Sequence, residues 1–260
     1  MEIGLCSICF HESPLVEVLD LAKKTGFDGV EIWGEEPHTL YPFDKKKIEN
    51  ISQMVKERGL SISMFGSYIS PSMKNFKEKA KESLKITHTL GAPLMRVWAG
   101  NKGSKEADKE NWKVCIEGFK WLSQEAKKYN ITLAIEMHEG TLADLGKSAL
   151  NLIEKVGEDN LKANFQVNFT LQKDDPMERL KLVSPYIVNC HLQNFKNFQK
   201  DKNSFTERSL LKEGIVNYKE IISFLKGKDF KGYLEVEFEK DPKEENLKKD
   251  YEFLKELLSG

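Results

Sequence analysis

Apolar positions along this chain recur at two spacings in alternation. Short runs with an aliphatic residue at every second position are followed by longer stretches with apolar residues three and four apart. The first spacing predicts strands and the second predicts amphipathic helices. Strands are expected at 3–10, 29–33, 60–65, 94–98, 131–137, 162–168, 186–193 and 232–238. Helices are expected over 13–25, 44–58, 70–90, 107–129, 149–156, 176–183, 217–226 and 244–258. The punctuation agrees. Pro14 and Pro176 suit first helical turns, and Asp44 suits an N-cap. Gly26, Gly59, Gly91, Asn130, Gly157 and Gly227 sit where left-handed terminators or stops belong.

Strict alternation of strand and helix implies parallel strands joined by right-handed crossovers. Eight such units in 260 residues predict an α/β fold, a (β/α)8 TIM barrel forming one domain over 1–260. A doubly wound open sheet is the competing architecture, but no glycine-rich phosphate loop follows any strand.

Composition narrows the function. The chain is 40% hydrophobic and 31% charged, with a net charge of −1. That balance supplies a sizeable core and no cationic face for nucleic acid. No apolar run reaches the roughly 18 residues needed to span a bilayer, and the start of the chain lacks the regions of a signal peptide. A cytoplasmic location is therefore expected, with no membrane partner. Cys6 and Cys9 form a C-x-x-C, but within a strand their odd spacing points them to opposite faces, and no second pair supports a metal or redox role. The cysteines read as structural.

Chemistry gathers at the carboxyl ends of the later strands. Glu136 and His138 lie two apart and share a face. Asn164, Gln166 and Asn168 oppose Ala163, Phe165 and Val167. Asn189, His191 and Gln193 oppose Val188, Cys190 and Leu192. Glu235, Glu237 and Glu239 oppose Leu234, Val236 and Phe238. Polar faces repeated on four adjacent strands of a barrel converge at its mouth, where such folds place their active sites. Two carboxylates, an imidazole and an amide oxygen make a divalent-cation shell. Earlier strands add Glu31, Trp33, Phe65, Arg96 and Trp98. Aromatics there stack on a sugar ring, and an arginine holds a hydroxyl or an anionic group. His11, His38 and His88 fit loop or helix-surface positions and receive no role.

The runs Gly29-Val-Glu-Ile-Trp33, Met95-Arg-Val-Trp-Ala-Gly100, Leu133-Ala-Ile-Glu-Met-His138, Val188-Asn-Cys-His-Leu192 and Gly232-Tyr-Leu-Glu-Val-Glu237 resemble the xylose isomerase-like TIM-barrel superfamily, and within it the sugar phosphate isomerase/epimerase branch. That resemblance implies one divalent metal ion (manganese, magnesium, cobalt or zinc) on Glu136, Gln166, His191 and Glu237. The family usually carries an aspartate at the sixth-strand position; Gln166 is the first choice for it here and Asn168 the second. The resemblance also implies that Glu136 and Glu237 are catalytic, passing the proton next to a metal-polarised carbonyl through an enediolate. His138, Arg96, Trp33, Trp98, Gln193 and Asn168 are then expected to contact the substrate. A metal-dependent ketose or sugar-phosphate isomerase or epimerase is the leading expectation. A lyase of the inosose or dehydroshikimate dehydratase type is the alternative, ahead of an endonuclease IV-like nuclease or a non-enzymatic sugar-binding barrel. Relatives suggest a homodimer or homotetramer.

Overall fold

The computed structural model describes residues 1–38, 40–167, 175–198 and 206–260. Its barrel strands are β1 (Glu2–Cys6), β2 (Gly29–Trp33), β3 (Ser61–Gly66), β4 (Leu94–Val97), β5 (Thr132–Glu136), β6 (Leu161–Gln166), β7 (Ile187–Leu192) and β10 (Tyr233–Val236). They close in the order β1-β10-β7-β6-β5-β4-β3-β2, every pair parallel. The helices are α1 (Leu15–Thr25), α2 (Lys45–Glu57), α3 (Phe76–Leu90), α4 (Lys109–Lys127), α5 (Gly146–Val156), α6 (Pro176–Val183), α7 (Tyr218–Gly227) and α8 (Glu244–Ser259). No helix among the described residues is long and apolar enough to cross a membrane.

The periodic signals place these elements within a few residues, and the exceptions have local causes. The first strand stops at Cys6, because Ser7–Phe10 turns into a 3-10 helix. There the buried Ser7 hydroxyl accepts a hydrogen bond from the Trp33 backbone N–H at 2.9 Å and meets His38 Nδ1 at 3.0 Å. Cys6 and Cys9 therefore do not share one strand. Helix α3 begins at Phe76 rather than at residue 70, after Asn75 in a left-handed conformation (φ 57°). Asn130 (φ 59°) and Gly26, Gly91 and Gly157 end their helices in that same region. After Gly227 it is Asp229 (φ 54°) that does so. His38, expected in a loop or on a helix surface, lies in a turn and is buried, with Nε2 against the Ser13 carbonyl at 2.8 Å. An antiparallel pair, β8 (Asn194–Phe195) with β9 (Arg208–Ser209), lies between β7 and α7.

Two irregularities of register aim polar side chains inward. Between Val30 and Glu31 the pairing of β2 with β3 shifts, skipping Ser63, and between Ala163 and Asn164 the pairing of β6 with β7 shifts likewise. Bulges of this kind re-aim a side chain at the cost of one unpaired residue. Ser63 uses the opening to donate its hydroxyl hydrogen to Glu235.

Helix α8 docks on the barrel through Leu247 and Leu254, and through the buried Asp250. Asp250 Oδ1 accepts the Leu211 backbone N–H at 2.8 Å. Burial first, and the neighbouring Glu213 second, push its carboxyl up to about 7 despite that hydrogen bond. Unfolded, the same group titrates near about 4. Between those two pH values the native state keeps a proton that the unfolded chain has lost, so this contribution falls as pH rises from about 4 to about 7 and then levels off. Asp250→Asn retains the acceptor oxygen and removes the titration. It should stabilise the protein at pH 8, by about 4 kcal/mol at most, and change little near pH 4. Urea unfolding at both pH values reads this difference.

Candidate active site

The inward residues of β2, β4, β5, β6, β7 and β10 meet around one imidazole. His191 is a register neighbour of Gln166 on one side and Glu235 on the other. Its Nδ1 lies 3.2 Å from Glu237 Oε1, 3.5 Å from Glu136 Oε1 and 3.3 Å from Gln166 Oε1. Its Nε2 lies 2.6 Å from Glu31 Oε2 and 3.7 Å from Glu235 Oε2. All of these side chains are buried. One edge of the ring thus faces the other three residues expected to hold a metal, and the other faces Glu31 from across the barrel and Glu235 from the adjacent strand β10.

The donor set fits a divalent ion. Metal bonds of about 2.1 Å put neighbouring ligand atoms about 3.0–3.4 Å apart, for right-angled or tetrahedral arrangements. The contacts of His191 Nδ1 lie in or just beyond that range. Glu136, His191 and Glu237 form a group with ligand atoms within 4.8 Å of one another. Glu237 Oε2 is buried with no hydrogen-bond partner, which is costly for a carboxylate unless a cation approaches it. A second group, Cys6, Glu31 and His191, meets the same distance criterion. Burial and the charge of Glu31 hold the Cys6 thiol well above its ordinary range, which makes it a poor ligand.

Arg96 is placed otherwise than the sequence suggests. It is buried beneath the mouth, with Nη1 3.3 Å from Glu31 Oε1 and Nε 3.4 Å from Glu136 Oε2. Nη2 donates to the Gly66 carbonyl at 3.3 Å, and Nε points toward the Ser67 carbonyl at 3.4 Å. Those interactions commit the guanidinium to the protein, so it is not a free hand for substrate. Desolvation raises the Glu136 carboxyl, but Arg96 and His191 outweigh it and bring the group down to about 2. Glu235 goes the other way. Burial and the adjacent Glu31 push it up to about 8, and it accepts the Asn189 side-chain amide at 2.6 Å. Neither Glu31 nor Glu235 carries a role in the sequence reading, and their partners come from strands far away in the chain.

Three of the expected substrate contacts, Trp33, Trp98 and His138, share one wall. Trp98 stacks on His138 with ring centroids 4.7 Å apart, and Tyr68 packs 5.6 Å from Trp98. Arg96 lies over the Tyr68 ring at 4.9 Å, and Trp33 Nε1 donates to the Tyr68 hydroxyl at 2.8 Å. Tyr68, which no periodic pattern singled out, therefore joins Trp33 to Trp98. Trp98 Nε1 and Gln193 Oε1 are buried without hydrogen-bond partners, so both have capacity for a polar ligand. His138 Nδ1 donates to the Glu139 carbonyl at 2.8 Å, which leaves Nε2 for another partner. Asn168 lies outside the described residues.

A closed parallel barrel with a buried carboxylate–histidine centre at its mouth defines the class, and sequence comparison defines the family. Residues 19–257 match the family model described as xylose isomerase-like TIM barrel, and the chain belongs to that family. Among curated relatives, it is 26% identical over 253 residues to 3-dehydroshikimate dehydratase of Bacillus anthracis, covering 90% of each chain. It is 24% identical to inosose dehydratase of Salmonella typhimurium, over 90% of this chain and 84% of the relative. Among solved structures, the probable 3-DHS dehydratase of Bacillus anthracis superposes with a TM-score of 0.83 at 24% identity, covering 98% of this chain and 99% of that one. A xylose isomerase-like barrel from Mycobacterium smegmatis, in complex with magnesium, gives 0.80 at 20% identity over 99% and 96%. These two structural likenesses carry the fold. The leading expectation, an isomerase or epimerase, is not what either curated relative is named for; both are dehydratases.

Proposed function

We propose that this protein is a divalent-metal-dependent dehydratase acting on a six-membered polyhydroxylated ring ketone. The observation that carries the reading is the inequality of the two catalytic carboxylates. An epimerase that moves a proton between faces asks both glutamates to accept and return it. Glu136, clamped by Arg96 and brought down to about 2, is too weak a base to share that work. Among the described residues Glu237 lies within ion-pair distance of His191 and of no arginine or lysine, and it serves as the single base. Elimination needs one base and a separate acid, and His138 supplies the acid through Nε2.

Glu136, Gln166, His191 and Glu237 would hold the metal. A divalent ion on these ligands supplies Lewis acidity at the ketone oxygen and lowers the cost of removing the adjacent proton. Glu237 takes that α-proton. The electrons left behind form the new carbon–carbon double bond as the β carbon–oxygen bond breaks. His138, carrying a proton on each ring nitrogen in the reacting form, gives its Nε2 proton to the departing hydroxyl, which leaves as water, while Nδ1–H stays on the Glu139 carbonyl; the two enzyme groups then re-equilibrate their protons with solvent. The Trp33–Tyr68–Trp98–His138 wall packs against the face of the ring and keeps water from it. The names of the curated relatives support the same class of substrate.

The test is a manganese-supplemented assay with 3-dehydroshikimate and 2-keto-myo-inositol beside simple ketoses and their phosphates. Water loss from one of the ring ketones, read by product identification and ultraviolet absorbance, is the expected result. Interconversion of ketoses with no ring-ketone dehydration would overturn the reading.

The ligand shell itself can be probed. An amide at position 166 contributes no charge, and affinity at such sites follows the number of charged ligands. Gln166→Glu keeps the reach of the side chain and adds a carboxylate. Titration calorimetry should show manganese bound roughly ten times more tightly than by the wild type, in line with charge-count tuning of affinity.

A further inference from the structure

The residue that decides which nitrogen of His191 faces the ligands is Glu31, on the opposite side of the barrel. We infer that Glu31 is a positioning residue for the metal centre: it holds His191 as the Nε2–H tautomer and, through Arg96, ties that imidazole to Glu136. The inference rests on the metal-centre reading above.

Three features of the structure support it. The contact between His191 Nε2 and Glu31 Oε2 is 2.6 Å, a short charge-assisted hydrogen bond between fully buried groups. It occupies Nε2 with a donated hydrogen and turns Nδ1 toward Glu136, Gln166 and Glu237, so that the Nδ1 proton is the one a metal would displace. Glu235 cannot substitute, since it stands 3.7 Å away and its oxygens take hydrogen bonds from Ser63 and Asn189.

The backbone is shaped around this carboxylate. The register shift between β2 and β3 falls between Val30 and Glu31, with Ser63 of β3 as the extra residue. A Cβ at Gly66 would land on Glu31 Oε1, so the absence of a side chain there makes room for it. The Gly66 carbonyl in turn receives Arg96 Nη2.

Arg96 completes the bracket. Nη1 contacts Glu31 Oε1, and Nε contacts Glu136 Oε2. The oxygen of Glu31 that is not used by His191 is therefore fixed by the same cation that fixes a ligand carboxylate. His191 and Glu136 come from β7 and β5, and the bracket sets their spacing without touching a ligand in the open mouth.

Partners of this kind are worth about 10–100-fold in metal affinity. Manganese binding to the purified protein, followed by calorimetry, should weaken by about that factor in Glu31→Ala. Glu31→Gln keeps an acceptor oxygen and should recover part of the loss, while Glu235→Gln should stay close to wild type. Thermal unfolding of each metal-free variant separates loss of fold from loss of affinity. Long-range proton–nitrogen NMR on the zinc-loaded wild type reads the tautomer directly and does not depend on any variant folding. The expected signature is a protonated Nε2 with Nδ1 metal-bound.

A protonated Nδ1 in the zinc-loaded protein overturns the inference, and so does unchanged affinity in a folded Glu31→Ala. A thiolate charge-transfer band in the cobalt-loaded protein also overturns it, by making Glu31 and Cys6 ligands. A wild type that binds no divalent ion would sink the metal-centre reading itself. Binding that Glu31→Ala leaves untouched would sink only the positioning role.

Discussion

Glu237→Gln should reduce turnover of the ring ketone by about 10²–10⁴-fold at saturating manganese, the usual worth of a positioned general base. The amide retains the shape and one ligand oxygen of the side chain but can no longer take the α-proton. Stability should fall far less than activity, because Glu237 Oε2 has no hydrogen-bond partner to lose and the amide keeps an oxygen for the place beside His191 Nδ1. Steady-state kinetics across a manganese titration separates the missing base from weakened ion binding. A deficit that vanishes at high manganese would mean that Glu237 is a ligand only. A deficit that persists identifies it as the base.

The largest effect on stability should come from Arg96→Met. This residue is 1% exposed and is shared by two buried carboxylates. Removing one partner of a buried ion pair typically costs about 3–5 kcal/mol, because the remaining charge has no compensation. In a chain of this length that corresponds to a fall in Tm on the order of ten degrees. The loss has a pH signature. With the guanidinium in place the Glu136 carboxyl is held down to about 2 and that of Glu31 is also lowered, a stabilisation that is full above about pH 4 and is lost as pH falls toward 2. The variant's deficit relative to wild type should therefore be full above about pH 4 and shrink as pH falls toward 2. A deficit independent of pH would place the role of Arg96 in packing over Tyr68 rather than in charge.

Most of the architecture is legible in the sequence, because a barrel repeats one local pattern. Alternation marks the strands, 3.6-residue spacing marks the helices, and Gly26, Gly91, Asn130 and Gly157 stand in the left-handed conformations that their residue types favour. The polar faces of β6, β7 and β10 are equally visible, since side chains two apart share a side. What cannot be read locally is pairing across the barrel. Glu31 and His191 are 160 residues apart, and only closure of β1 between β2 and β10 brings their strands round to each other. Arg96 was legible as an inward residue but not as one already engaged, because its partners come from β2 and β5. The pair β8 and β9 escapes detection for a simpler reason: two residues are too few to show any period.

The shared guanidinium has a consequence for how this sequence can drift. Glu31, Glu136 and Arg96 form a charge set in which each single loss strands a buried group, while joint loss of Glu31 and Arg96 removes an acid and a base together but leaves Glu136 with His191 alone as its charge partner. Residues coupled in this way depart from additivity by about 0.5–3 kcal/mol. The order of substitution then matters as much as the identity of the substitutions. A lineage leaving this arrangement would meet a valley at its first step and only partial relief at its second, which favours retention of the trio as a block even where the chemistry at the barrel mouth is changing.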